Sequence, residues 1–393
     1  MSTAVGHDLV ETAKALGPTL RAGAPHSDAD GRLPAESVTA LRDAGFFRLY
    51  VPRSLGGLQV DPVTHARVQE ELARHDSAAA WMLQATSSSA WWCSRLPTET
   101  AEEIYGADPD QVIAVSFPIP FEGERVDGGL RLSGQRPFAS NISDASWIWV
   151  TSLTVDDGEP ELVDGAPMVR AAFFPAHEAT VVRTWDTLGM RGSDSNDVSV
   201  QDLIVPDRRT FRIGIDHTPG PFYDDPLYRA PAMVLVGSYI PAVALGIARD
   251  AIDEFVALAE GKTPFASATT LRERSTAQAK LGRAEGLLRS ARAYLFDRLT
   301  WGWERTVEGE ELSLEQRSDV LLACAQAVSA SAQAIDLVYS AAGTSAIHRN
   351  SRIEQHFRDA NVLRQQGFVS ESRFETVGQI ELGIPPDLGF VAL

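Results

Sequence analysis

The chain is 393 residues long, 44% hydrophobic and 22% charged, which is ordinary for a globular protein and too long for a single small core. Its formal net charge of −18 opposes phosphate backbones and anionic lipid, so no nucleic-acid or membrane partner is expected. Cys93 and Cys324 stand far apart without CxxC spacing, which excludes a disulfide framework or a cysteine-based zinc site.

The stretch MSTAVGHDLVETAKAL has no basic segment leading into an apolar run, so it does not read as a signal peptide, and a cytoplasmic location is expected. Pro34 to Ala44 reads as a helix stopped by Gly45. Asp61-Pro62 opens a second helix through His75, with Asp as cap and Pro in the first turn. Ala78 to Trp92 is apolar nearly all round and should be buried, and Thr98 to Tyr105 is a short closing helix.

From Gln111 the texture becomes β-rich. Val112–Phe117, Leu130–Ser133, Trp147–Thr154, Val169–Phe174 and Val198–Val205 read as strands separated by turn signals such as Asp127-Gly128-Gly129. No helix-length segments intervene, so an antiparallel sandwich or barrel is expected. Helical period returns over Ala230–Glu260, Ala268–Trp303, Ser313–Ala342 and Ile353–Ser370, as in a four-helix bundle. Apolar Ala230–Ile252 contains Pro231 and Pro241 and ends near Arg249 and Asp250, so it reads as a bundle core helix and not a membrane span. The expected organisation is α+β: residues 1–110 helical, 111–218 an antiparallel β-domain, and 219–393 a four-helix bundle.

Several chemistries are missing. There is no GxGxxG, GxxxxGK[ST] or GxSxG. Gly189 to Asp197 leads into a strand and not a helix, so it is no phosphate loop. His65, His75, His177, His348 and His356 have no metal-clip spacing, so no metal is expected, and they read as surface or capping residues.

Four phrases occur in order along nearly the whole chain. They are Arg48-Leu-Tyr-Val-Pro52 with Gly56-Gly57, Leu130-Arg-Leu-Ser-Gly134-Gln-Arg-Pro-Phe138-Ala-Ser140-Asn141, Leu188-Gly-Met-Arg-Gly-Ser-Asp-Ser-Asn-Asp-Val198 with Leu203-Ile-Val-Pro206, and Ala341-Ala-Gly-Thr344 with Arg358-Asp359. Together they resemble the acyl-CoA dehydrogenase superfamily, whose fold is an N-terminal helical domain, a central β-domain and a C-terminal four-helix bundle. In the dehydrogenases a Glu about eight places past the Arg-Asp pair abstracts the α-proton of a thioester. Here that region reads Gln365-Gln366-Gly367-Phe368, and Ala230–Ile247, the other home of that base, holds no carboxylate.

The phrasing is closer to the two-component flavin-dependent monooxygenase branch. That resemblance implies reduced FAD (FMN possible) delivered by a separate reductase, O2 as co-substrate, and a flavin C4a-hydroperoxide that hydroxylates an aromatic, indole-like or amine small molecule of specialised metabolism. It also implies a homotetramer. Ser140 takes the hydrogen-bonding position beside the flavin, and Ser89 and Gln366 fall where phenol-hydroxylating relatives carry histidines; these three are the candidate catalytic residues. Ser116, Phe117, Phe138, Asn141, Lys262, Phe265, Gln278, Gly343 and Thr344 are the further candidate cofactor contacts. Of these, Lys262, Phe265 and Gln278 correspond to residues that reach a neighbouring subunit's flavin. Trp91 and Trp92 are the candidate substrate-pocket residues, while Trp147, Trp149 and Trp185 are expected to fill subdomain interfaces. Arg358 and Asp359 are expected to form a structural ion pair. Two other readings stay open: an acyl-CoA or acyl-carrier-protein dehydrogenase with Glu371 or Glu375 as an unconventional base, and a non-catalytic flavin-binding protein.

Overall fold

The computed structural model describes residues 2–163, 165–214 and 219–392, so the expected boundary at 218 lies outside the described residues. Helices α1 (Ser2–Asp30), α2 (Ala35–Asp43), α3 (Pro62–His75), α4 (Ser77–Trp92) and α5 (Thr98–Tyr105) come first. Asp61 caps α3 as its side chain accepts from Thr64 N at 2.8 Å, an interaction worth about 1 kcal/mol. Asp76 caps α4 through Ala78 N and takes a bond from Ser27 Oγ. The sequence pattern marks no separate helix before Pro34. Pro18 and Pro25 interrupt the pattern inside α1, and the burial of Leu9, Ala13 and Leu20 against α3 holds that helix together regardless.

The strands are β1 (Ile113–Val126), β2 (Gly129–Ala139), β3 (Trp147–Asp156), the two-residue β4 (Glu159–Pro160), β5 (Leu162–Val163) and β6 (Ala166–Pro167), then β7 (Val169–Pro175), β8 (Thr180–Val182), β9 (Asn196–Pro206) and β10 (Thr210–Arg212). The main sheet runs β10-β7-β3-β1-β2-β9-β8. The expectation of a wholly antiparallel domain needs correction, because β1 and β3 pair in parallel. The cause is the chain path: β2 folds back on one edge of β1, and β3 then returns along the other edge in the direction of β1.

The bundle is α6 (Ala232–Gly261), α7 (Ser275–Val307), α8 (Leu314–Ala342) and α9 (Arg352–Leu363), followed by α10 (Ser372–Glu381). The expected helix 268–303 starts seven residues late, because Thr270 and Glu273 form a capping box around a separate turn at Leu271–Glu273. The expected 353–370 helix ends at Leu363, and Glu371 and Glu375 lie exposed at α10. Among the described residues two helices, α6 and the stretch from Leu314 to Ala346, are apolar and long enough to cross a membrane, but 94% and 67% of their most apolar windows are buried inside the protein.

One core spans the N-terminal helices, the bundle and one face of the sheet, with α3 packed on α6; a second, smaller core fills the sheet's other side with Phe121, Leu132 and Phe174. Gly246 allows the closest α3–α6 approach, since a Cβ there would stand 2.2 Å from Glu70 O.

The expected surface or capping role fails for His65 and His356, which are 0% and 2% exposed. His65 sits between Tyr50 and Tyr239, its Nδ1 on Ser238 O and its Nε2 without a partner. Burial pulls its pKa from 6.5 down to about 4. Between those values the unfolded chain binds the proton more readily, so His65 supports the fold fully above pH 6.5, and that support drains as pH falls towards 4. His65→Gln should therefore flatten the stability difference between pH 7 and pH 4.5 relative to the wild type. Equal slopes in urea titrations of the two proteins would refute the assignment.

Candidate active site

A cavity of about 690 Å3 lies where α4, the sheet, α6 and the segment after α9 meet. Such a volume accommodates a bound ring system together with a small substrate. Its walls are largely aromatic. Trp91, Trp92, Phe117, Trp149, Phe368 and Phe390 form one connected cluster, with ring centroids 4.4–6.4 Å apart in the contacting pairs. Trp91 is fixed by its indole N–H on Leu227 O at 3.0 Å, and Trp92 stacks on Phe211.

The polar wall is built from two loops. At the end of β2 the register with β9 slips between Arg136 and Ala139, and Phe138 and Asn141 both adopt left-handed backbone, with φ of 66° and 60°. This kink leaves Phe138 47% exposed and edge-on to Trp185, while Ser140 turns inward. Opposite, Met190 and Asp194 take φ of 52° and 48° in the turn before β9. The two loops zip together through Asn141 N to Ser193 O at 2.9 Å and Ser143 N to Asp194 Oδ2 at 2.8 Å.

The result is a row of hydroxyls: Ser193 Oγ to Ser195 Oγ at 2.8 Å, and Ser195 Oγ to Ser140 Oγ at 2.8 Å. Ser140 Oγ also accepts the Trp81 indole N–H at 3.0 Å. When Ser195 donates as well, both acceptor positions of Ser140 are filled and its proton is free for the cavity.

The turn carrying Ser193 and Ser195 is held from behind. Asp359 accepts Met190 N at 2.6 Å and Ser77 Oγ at 2.7 Å. Arg358 pairs with Asp28 and Glu354 and donates to Leu188 O. The expected Arg358–Asp359 pair is thus corrected: consecutive helical residues point in different directions, and each serves the loop through other partners. Gly189 permits the contact, since a Cβ there would lie 2.3 Å from the Arg358 carbonyl carbon.

Of the candidate residues, Ser140, Gln366, Phe117, Phe138, Trp91 and Trp92 come together on the cavity. Gln366 accepts Phe368 N at 2.7 Å, shaping the turn after α9. Ser89 is not on the wall: its hydroxyl donates to Ala85 O and accepts the Trp149 indole N–H, and its neighbour Ser88 faces the cavity. One residue along a helix is a turn of about 100°, enough to exchange the two. Ser116 ties β1 to Pro137 O behind the cavity, and Asn141 donates to Met82 O.

Lys262, Phe265, Gln278, Gly343 and Thr344 are absent from the wall. Lys262 donates to Ala342 O beside Gly343, Gln278 donates to Arg272 O, and Phe265 is wholly exposed. The sequence reading overlooked Trp81, Ser193, Ser195, Tyr239 and Arg373, and it assigned Trp149 and Trp185 to interfaces although both line the cavity. The Leu188–Val198 phrase could have signalled the two serines. Among the described residues no group of three or more His, Cys, Asp or Glu could hold a metal, and no Asp or Glu lines the cavity.

The cavity suits a flavin ring: aromatic faces at Trp81, Phe138 and Trp185 and a hydroxyl row ending at Ser140 match a flat heterocycle with a polar edge. Residues 11–105 match the family model Acyl-CoA dehydrogenase, N-terminal domain, and 238–371 match Acyl-CoA dehydrogenase, C-terminal domain, together more than half the chain. The chain belongs to the acyl-CoA dehydrogenase superfamily. Within it, similar proteins include flavin-dependent monooxygenases. An indole-3-acetate monooxygenase of Pseudomonas putida is 28% identical over 364 residues, covering 93% of this chain and 91% of that protein. A protein of Mycobacterium tuberculosis named as the flavin-dependent monooxygenase oxygenase subunit HsaA is 28% identical over 377 residues, covering 94% of each. The crystal structure of an HsaA monooxygenase from M. tuberculosis superposes with a TM-score of 0.89 at 26% identity, over 98% of this chain and 99% of that one.

Proposed function

We propose that this protein is the oxygenase of a two-component flavin-dependent monooxygenase, taking reduced flavin from a separate reductase and using O2 to hydroxylate an aromatic or heteroaromatic small molecule. The observation that carries this reading is an aromatic cavity with a hydroxyl row on one wall and no carboxylate among its described lining residues. A thioester dehydrogenase needs a general base there. Glu371 and Glu375, exposed and absent from the cavity lining, do not supply one.

Reduced flavin, when bound, would supply the two electrons that activate O2, one oxygen atom of which goes to the substrate and the other to water. The residues of this chain supply the surroundings. Phe138 and Trp185 would hold the ring at the partly exposed edge, Trp81 and Ser195 orient the Ser140 hydroxyl, and Ser140 would donate to the ring. The cluster around Trp92 and Phe117 holds the substrate's aromatic face and excludes water. Gln366 offers its amide to a substrate polar group. FAD is preferred, with FMN as the other candidate. A homotetramer is part of the proposal: Phe265, with Lys262, Gln278, Gly343 and Thr344, would meet the cofactor of a neighbouring subunit. The proposed location is the cytoplasm, consistent with two free, buried cysteines.

The test is turnover with reductase-supplied reduced flavin, isotopically labelled O2 and a panel of indoles, phenols and aryl amines. Label in a hydroxylated product is expected. Bleaching of oxidised flavin by acyl thioesters, with no label in any aromatic product, would replace this reading with the dehydrogenase.

A further inference from the structure

The cavity is charged in one sense only. Arg373 is the one Lys or Arg among its described lining residues, and Asp and Glu are absent from that wall, in a chain of net charge −18. Arg373 enters from the first turn of α10 and is 8% exposed. Its two terminal nitrogens donate to neutral oxygens, Thr376 Oγ1 and Ser372 Oγ, both at 3.0 Å. Its nearest carboxylate, Asp387, stands 3.6 Å away and is 40% exposed, and its buried Nε has no partner.

A second cation stands behind the same wall. The Arg95 guanidinium lies 3.8 Å from the Trp91 ring centre and 4.6 Å from that of Trp92, with no ion-pair partner among the described residues. Burial draws its pKa down to about 9. Tyr239 adds a buried, unpartnered hydroxyl on the cavity. A buried cation with incomplete pairing costs stability unless a ligand supplies the opposite charge.

We propose that the substrate is an aromatic carboxylate and that Arg373 reads its carboxylate. The proposal rests on the oxygenase reading above and narrows its substrate class. A guanidinium fork suits a carboxylate, the aromatic cluster takes the ring, and Arg95 adds positive potential across the Trp91 and Trp92 faces. A neutral analogue of the same shape leaves the Arg373 charge to the single, half-exposed Asp387 pair and its Nε unpartnered, and it is disfavoured for that reason.

The experiment is anaerobic titration of the reduced-FAD holoprotein with indole-3-acetate, its neutral isostere indole-3-acetamide, and the amine tryptamine, followed by calorimetry. The acid should bind about tenfold or more tighter than the amide, with the amine weakest. Arg373→Gln should abolish the preference, bringing acid affinity down to that of the amide, and Arg373→Lys should retain part of it and control for folding. Equal binding of acid and amide to the wild type overturns the proposal. So does a loss of acid preference only in Arg95→Gln. A variant at Arg373 that weakens reduced-flavin binding but not acid binding overturns it too, since the anion read would then be the cofactor's phosphate. Because O2 is absent, a failure here is separable from a failure of oxygenation, which the labelled-O2 assay reports.

Discussion

Ser140→Ala is expected to lower hydroxylated product per reduced flavin consumed by about tenfold, with the lost oxygen released as hydrogen peroxide. The argument is one of proton direction. Ser140 Oγ receives the Trp81 N–H, and in the arrangement where Ser195 donates to it, its own hydrogen is left for whatever occupies the cavity. Alanine removes that donor and leaves the Trp81 indole N–H without its acceptor. Trp81→Phe keeps the hydroxyl but frees one acceptor position, so the proton is no longer directed and an intermediate loss is expected. Ser195→Ala should behave similarly, and its effect should shrink in the Ser140→Ala background, because residues acting as one row are non-additive. Product by chromatography and peroxide by a coupled assay give the ratio directly. An unchanged ratio in Ser140→Ala would remove this residue from the oxygen chemistry.

The order of helices, strands and bundle was legible because each segment carries its own period. Thr98–Tyr105 matched to the residue, and Asp61-Pro62 announced α3 through its cap. Features set by distant partners were not legible. The parallel β1–β3 pair depends on which edge of β1 receives the returning chain. The short β8 pairs with β9 across the Trp185 to Ser195 turn and has too few residues to show alternation. At the site, Ser140 and Phe138 were found through a phrase along one strand. Ser193 and Ser195 reach the same wall only because left-handed Met190 and Asp194 fold their turn over, which no periodicity encodes. Arg373 was missed because its significance is the lack of a carboxylate on the cavity wall it joins, a property of the assembled cavity. The two buried histidines were misread for a related reason, since their neighbours, Tyr239 for one and Asp250 for the other, lie far away in sequence.

Asp359→Ala should produce the largest loss of stability, about 3 kcal/mol, together with weakened flavin binding. The carboxylate is 1% exposed, and its two acceptors hold Met190 N and Ser77 Oγ, joining the turn before β9 to α4 and α9. Alanine strands two buried donors, each costing about 1–3 kcal/mol, and releases the turn that carries Ser193 and Ser195. Asp359→Asn keeps an oxygen for Met190 N, so it should cost less and preserve more flavin affinity. The pH dependence separates the charge from the hydrogen bonds. Burial, the dominant cause, raises the Asp359 pKa above its ordinary 3.8. Just above that value the folded protein binds the proton more readily than the unfolded chain, so wild-type stability conferred by Asp359 falls as pH rises through the window. Asparagine has no proton to lose, and the gap between wild type and Asp359→Asn should narrow in the same direction. Urea unfolding across that range, paired with reduced-flavin titrations, tests both parts. A destabilised Asp359→Ala that still binds flavin normally would mean that the latch supports the fold without positioning the serine row.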